Sequence, residues 1–178
     1  MRSMIMASKT SKNNPRKKAG DDGVIKLPAM TKKETDALLK SCQVCRMALN
    51  DRVCPYLICL DYVYTGGKMY FHFADYGRKM DLIRKDPHVS VELDSYNKSV
   101  TEYQNATFMG RLSPVTDASE KKRASAALVK AIRPRTGAKK VAARHGYDKL
   151  DESLFASGDS MLMRLDVEEY VALKSPGS

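Results

Sequence analysis

The sequence predicts a small antiparallel β-barrel carrying a few helices. Three observations lead there. Short apolar and aromatic segments follow one another closely between Gln43 and Leu112. The segments at 56–64 and 68–73 are separated only by Thr65-Gly66-Gly67, a hairpin signal because glycine tolerates the positive φ of tight turns. Helical periodicity is confined to three places, so the strands have to cover one another, and closure removes exposed strand edges.

In chain order, residues 1–28 are rich in Lys, Ser, Asn and Asp without apolar periodicity and read as a basic, disordered tail; residues 29–178 read as one domain. Thr31-Lys32-Lys33-Glu34 has capping-box spacing, so a short helix follows through Leu38 and Leu39 to about Ser41. Val44 to Leu49 is the first strand, and Asn50-Asp51 a turn. Tyr56 to Tyr64 is the second. Lys68 to Phe73 is the third, with Met69, Phe71 and Phe73 on one face and Tyr70 and His72 on the other. Gly77 then leads into a short helix on which Met80 and Ile83 share a face, ended by Pro87. Val89 to Leu93 and Thr101 to Leu112 are two more strands. Residues 117–132 form an Ala- and Lys-rich amphipathic helix with Ala124, Leu128, Ala131 and Ile132 inward. The last strand runs from Ser160 to Leu165, followed by an acidic turn at Val167-Glu168-Glu169-Tyr170.

The composition narrows the class of protein. No apolar run approaches the ~20 residues that cross a bilayer, and the basic N-terminus has no continuous apolar stretch of the secretory kind. Four cysteines without framework spacing read as reduced thiols, so the expected location is the cytoplasm. The net charge of +10 is concentrated at residues 1–18, with six basic residues and no acidic one, and at 121–149, with ten basic residues against Asp148. Such blocks either meet polyanions or form solvated faces. No nucleic-acid motif accompanies them.

Chemistry concentrates in Lys68 to Pro87. An aromatic strand carrying His72 ends in a loop with Gly77, and Arg78-Lys79 opens a helix. Cationic side chains, free N–H groups of a first helical turn and the helix dipole all favour an anion there, so the segment is a candidate phosphate pocket. Cys42-x-x-Cys45 has zinc or dithiol spacing, but Cys54 and Cys59, needed to complete a zinc site, are placed to point to opposite faces; buried free thiols are the competing reading, and no metal is assigned. No Ser-His-Asp or paired-carboxylate arrangement is present. His88 and His145 read as surface residues.

The run Pro55-Tyr56…Leu60, Tyr70-Phe71-His72…Ala74…Gly77-Arg78-Lys79…Leu82…Asp86-Pro87…Val89 resembles the pyridoxamine 5′-phosphate oxidase-like, FMN-binding split-barrel family, most closely its nitroimidazole-resistance (nitroreductase-like) branch. The resemblance spans about residues 30–170. It implies a six-stranded antiparallel split barrel, a homodimer, and one FMN in each of two clefts at the subunit interface. By that resemblance Arg78 and Lys79 hold the FMN phosphate; Tyr56, Leu57, Ile58, Cys59, Leu60 and Asp61 form the strand whose backbone lies beside the isoalloxazine; Phe71 and His72 are the aromatic and polar pair of the next strand; and Asn105 supplies an amide to the flavin. Tyr56, Tyr62 and Phe71 are expected to shape a substrate slot. A histidine at position 72 either hydrogen-bonds the cofactor or donates a proton during reduction as the catalytic residue, the competing reading being a partly buried structural residue satisfied by backbone.

The sequence also departs from the family. Cys59 interrupts the flavin-side strand, and the Arg-containing C-terminal signature of true oxidases is absent, Met163-Arg164-Leu165-Asp166-Val167 being a poor substitute. Vitamin B6 oxidation is therefore disfavoured. The implied activity is an FMN-dependent oxidoreductase that passes reducing equivalents to a small electron acceptor, nitro-aromatic or quinone-like, with NAD(P)H a candidate donor. The alternatives are a non-catalytic split barrel binding haem, the deazaflavin F420 or flavin, with His72 as an axial haem ligand, and a basic nucleic-acid-associated β-barrel.

Overall fold

The computed structural model describes residues 26–134, 137, 140, 143, 151, 155 and 160–176. Of the tail expected over 1–28, residues 1–25 lie outside the described residues, as do most of residues 135–149 of the basic stretch expected over 121–149, His145 included. Among the described residues the elements follow in the order α1 (Lys32–Ser41), β1 (Val44–Leu49), β2 (Tyr56–Asp61), β3 (Val63–Thr65), β4 (Lys68–Ala74), α2 (Arg78–Lys85), β5 (His88–Tyr96), β6 (Tyr103–Pro114), α3 (Ala118–Ile132) and β7 (Ser160–Lys174). The strands form one curled antiparallel sheet in the order β2-β1-β5-β6-β7-β4-β3, a half-barrel consistent with a split barrel.

The predicted capping box forms in full. Glu34 N–H donates to the Thr31 hydroxyl at 3.3 Å, and the Thr31 N–H donates to the Glu34 carboxylate at 2.7 Å. Leu38 and Leu39 are buried. The hairpin between β3 and β4 turns on Gly66 and Gly67, both at positive φ, where a side chain would be strained.

Two sequence expectations are corrected. The continuous strand expected over 56–64 is two strands at opposite edges of the sheet: β2 pairs with β1, while β3 pairs with β4. Tyr62, buried, joins them, and its hydroxyl donates to the Leu39 carbonyl at 2.8 Å. That one residue lets a single apolar run belong to both edges, giving seven strands where six were expected. The second correction is at the C-terminal end. The expected acidic turn at 167–170 is absent, and β7 continues to Lys174. Pairing to β6 carries it through, with a register shift between Met109 and Gly110 that leaves Glu168 opposite no residue.

Two buried clusters result. The first fills the barrel with Met47, Leu49, Phe71, Met80, Val91 and Leu93 among others. The second lies between the outer side of β4 and β7 and helix α3, with Tyr70, Leu162, Leu128, Ile132 and Phe155. Strand β4 is therefore covered on both faces, which is why its expected alternation appears as a division between two cores: Met69, Phe71 and Phe73 inward, Tyr70 outward. Of the positions expected inward on α3, Ala124, Leu128 and Ile132 are buried and Ala131 packs at the margin. Glu120 on α3 is buried with its charge satisfied. It accepts from Tyr70 Oη at 2.8 Å, Arg164 Nη1 at 2.9 Å and Lys68 Nζ at 3.3 Å.

Among the described residues no helix is long and apolar enough to cross a membrane.

Candidate functional site

Because Tyr62 joins the two edge strands, the sheet is pinned closed at that point and open beyond it. Strand β3 covers only Lys68 to Tyr70 on its side of β4, so among the described residues no strand lies beside the edge of β4 from Phe71 to Ala74. Among the described residues the edge of β2 away from β1 likewise has no neighbouring strand. The outer edges of these two strands border the split. A gap bordered by two strand edges suits a flat, hydrogen-bonding ring system.

At the mouth of the split, helix α2 begins with Arg78, whose guanidinium lies 4.6 Å from the centre of the Tyr56 ring. Arg78 also donates from Nη2 to Asp51 at 2.6 Å. That contact holds the Asp51 carboxyl below its ordinary range, helped by the Arg52 amide, and raises Arg78. The guanidinium remains 65% exposed, so part of its donor fork is open to an anion. The helix cap is Gly77, with no side-chain hydrogen bond to the first turn, and a Cβ placed there would meet nothing within 4 Å. Lys79, half-buried, has no acidic partner among the described residues. The Arg78 and Lys79 amides at the start of the helix, two cations and open space fit a phosphate group, while the Met80 and Asp81 amides donate to the Gly77 carbonyl; the adjoining strand edges fit a flavin ring.

The Asn50-Asp51 turn does more than reverse the chain. Asp51 holds Arg78 at the start of α2, and Asn50 Nδ2 donates to Asp86 at its end, 2.8 Å away. Nothing in the sequence marked Asp51 as a partner of Arg78, since the two are 27 residues apart with no periodic relation.

The sequence-predicted residues fall into three groups. Tyr56, Arg78, Lys79 and the backbones of Ile58, Leu60, Phe71 and His72 border the split. Along β2 the side chains of Tyr56, Ile58 and Leu60 pack toward the core, while Leu57, Cys59 and Asp61 are exposed on the outer face. Phe71 and Tyr62 do not shape a slot. Both are core residues with their rings 6.4 Å apart, because the inward face of β4 and the Tyr62 crossover are what the barrel buries. Finally, Asn105 is not beside the others. It sits on the outer face of β6 between Asp94 and Leu173, three strand spacings or roughly 14 Å along the sheet from β2.

His72 is half-buried on the outer side of β4, its ring edge-on to Phe155 at 4.9 Å. His88 is exposed and paired with Asp86. Burial pushes the Cys45 thiol up to about 12 and raises Cys42, so neither is an activated nucleophile. Cys54 and Cys59 are exposed. Arg164 is taken by Glu120 and by Asp166, the latter at 2.6 Å.

The fold has solved counterparts. A FAD-binding protein from Mesorhizobium loti shares 20% identity at a TM-score of 0.57, over 85% of this chain and 99% of that one. A candidate 5-nitroimidazole antibiotic resistance protein from Bacteroides thetaiotaomicron VPI-5482 shares 14% identity at a TM-score of 0.62, over 84% and 87%. A heme binding protein from Mycobacterium smegmatis shares 18% at 0.62, over 82% of this chain and 54% of that one. At these identities the likeness is one of fold. No curated protein matches the sequence. The pyridoxamine 5′-phosphate oxidase family profile matches residues 31–157, well over half of the chain. The curled antiparallel sheet, its split and this match lead to one conclusion: the chain belongs to the pyridoxamine 5′-phosphate oxidase-like family of flavin-binding split barrels.

Proposed function

We propose that this protein is an FMN-dependent oxidoreductase of the cytoplasm that reduces a small nitro-aromatic or quinone-like acceptor, with NAD(P)H as a candidate donor. The observation that carries the reading is the cluster of Arg78 and Lys79 at the start of α2, with no side-chain cap, beside the split bordered by β2 and β4. Arg78 and Lys79 bind the phosphate. Asp51 and the Tyr56 ring orient Arg78. The backbones of Tyr56 to Leu60 hold the ring, and His72, on the outer lip of the split, holds a proton for the reduced acceptor. FMN, when bound, supplies the hydride and electron chemistry, and the protein positions it and sets its charge environment.

A second copy of the chain completes this reading. Asn105 is too far along the sheet to serve the same split, and it shares the outer face of the sheet with exposed Val44, Leu57 and Val171. In a homodimer packed on that face, Asn105 reaches the cofactor of its partner.

The test is an absorbance spectrum of the purified protein, with the released ligand identified by mass. FMN and its loss in Arg78→Ala/Lys79→Ala support the proposal. A haem spectrum, released FAD or F420, or full retention of FMN by the double variant, overturns it.

A further inference from the structure

A second cavity lies at the other end of β4. It has a volume of about 180 Å³ and is walled by Leu39 and Asp36 of α1, Tyr64 of β3, Met69 of β4, Phe108 of β6 and Tyr170 of β7. It opens beside Gly67, whereas Arg78 follows the far end of β4. The seven residues of that strand separate the two places by roughly 20 Å.

The cavity is made by the β-bulge. In a regular strand the residues facing inward after Leu165 would be 167, 169 and 171. The extra residue at Glu168 resets the alternation, so that Val167 pairs with Gly110 and Tyr170 with Phe108. Val167 and Tyr170 thus both line the cavity, in place of charged Glu169. The Tyr170 ring stacks on Phe108 with centres 5.6 Å apart, yet remains 42% exposed. A Tyr170 ring held open to solvent, stacked on buried Phe108 with Met69 and Leu39 behind, leaves apolar surface in water that a ligand would cover.

The polar groups at the rim set the chemistry. Asp36 accepts from Tyr64 Oη at 2.8 Å and from Lys32 Nζ at 2.5 Å. These contacts keep it a carboxylate, with acceptor sites to spare. A cavity of about 150 Å³ holds one benzene ring. We infer that the cleft between α1, the β3–β4 turn and the β-bulge of β7 is a binding site for a single-ring phenol-class compound, its ring stacked on Tyr170 and Phe108 and its hydroxyl donated to Asp36. The site is independent of the split, and a tricyclic flavin is too large for it.

The experiment uses the full chain with 13C-methyl-labelled methionine and phenol as the probe. The Met69 methyl resonance, identified by Met69→Leu, shifts saturably below about 10 mM phenol, while that of Met80, buried in the barrel core, stays still. Tyr170→Ala weakens binding about five-fold, Tyr170→Phe binds as the parent does, and Arg78→Ala/Lys79→Ala leaves the titration unchanged. No saturable shift at Met69, equal binding by Tyr170→Ala, or a shift confined to Met80 overturns the assignment.

Discussion

Gly110→Ala should cost more than any other single-methyl change in the sheet. Gly110 has no unusual backbone angle, so the reason is contact alone. A Cβ there would run into the Asp166 carbonyl oxygen, with the Asp166 carbonyl carbon and Val167 Cα each at 3.0 Å. All three atoms are backbone, held in the β6–β7 ladder at the bulge, so no side chain can swing away to make room. Inserting volume into packed structure costs about 1–3 kcal/mol, and a collision with ladder backbone belongs at the upper end, about 3 kcal/mol. For a domain of this size 1 kcal/mol moves Tm by about 2–4 °C, so the expected fall is about 6–12 °C. Thermal unfolding followed by far-UV circular dichroism measures it, and amide exchange should show faster opening of residues 166–170. A drop smaller than about 2 °C, with exchange unchanged, would refute the reasoning that glycine is required by the bulge.

Two further outcomes follow from the charged contacts. The Glu34 carboxyl is lowered from 4.5 to about 2, chiefly by its hydrogen bond from Lys174 and then by those from Thr31. A depressed folded-state value adds stability that is fully present above pH 4.5 and is lost as pH falls toward 2; urea midpoints of the parent should therefore decline across that window more steeply than those of Glu34→Gln, and parallel curves would contradict it. Tyr70→Phe removes the donor that most lowers Glu120 while Arg164 and Lys68 still hold the carboxylate. The expected loss is about 1–2 kcal/mol by chemical denaturation, and an unchanged midpoint would mean that the Tyr70 contact is energetically idle.

Much of the scaffold could be read from local chemistry. Thr31 to Glu34, Gly66-Gly67 and Pro87 specify their helix start, turn and helix end through short-range geometry, and each is found where the residues put it. The misreadings arose where tertiary pairing decides. Residues 56–64 are apolar throughout, and only the presence of two separate partners, β1 and β4, breaks them at Tyr62. Glu168 and Glu169 look like a turn by composition, yet pairing with β6 holds them in a strand, the bulge absorbing the misfit. At the split, the Gly77-Arg78-Lys79 helix start was legible because sequence neighbours build it. The Asp51 anchor and the burial of Phe71 were not, since both depend on residues far away in the chain.

The position of β7 has a consequence for how the molecule comes together. The β2-β1-β5-β6 half of the sheet and the β4-β3 hairpin touch through no strand pairing of their own; β7 is hydrogen-bonded to both. During synthesis, the described strands before Ser160 can therefore pair only as two separate sub-sheets tethered at Tyr62. Partners such as Phe71 and Met163, 92 residues apart along the chain, meet only when the final strand is laid in. Folding is committed late, by long-range pairing of a kind that is intrinsically slow. Until that strand arrives, the nascent chain carries the free edges of β6 and β4 as its main risk of joining the wrong neighbour.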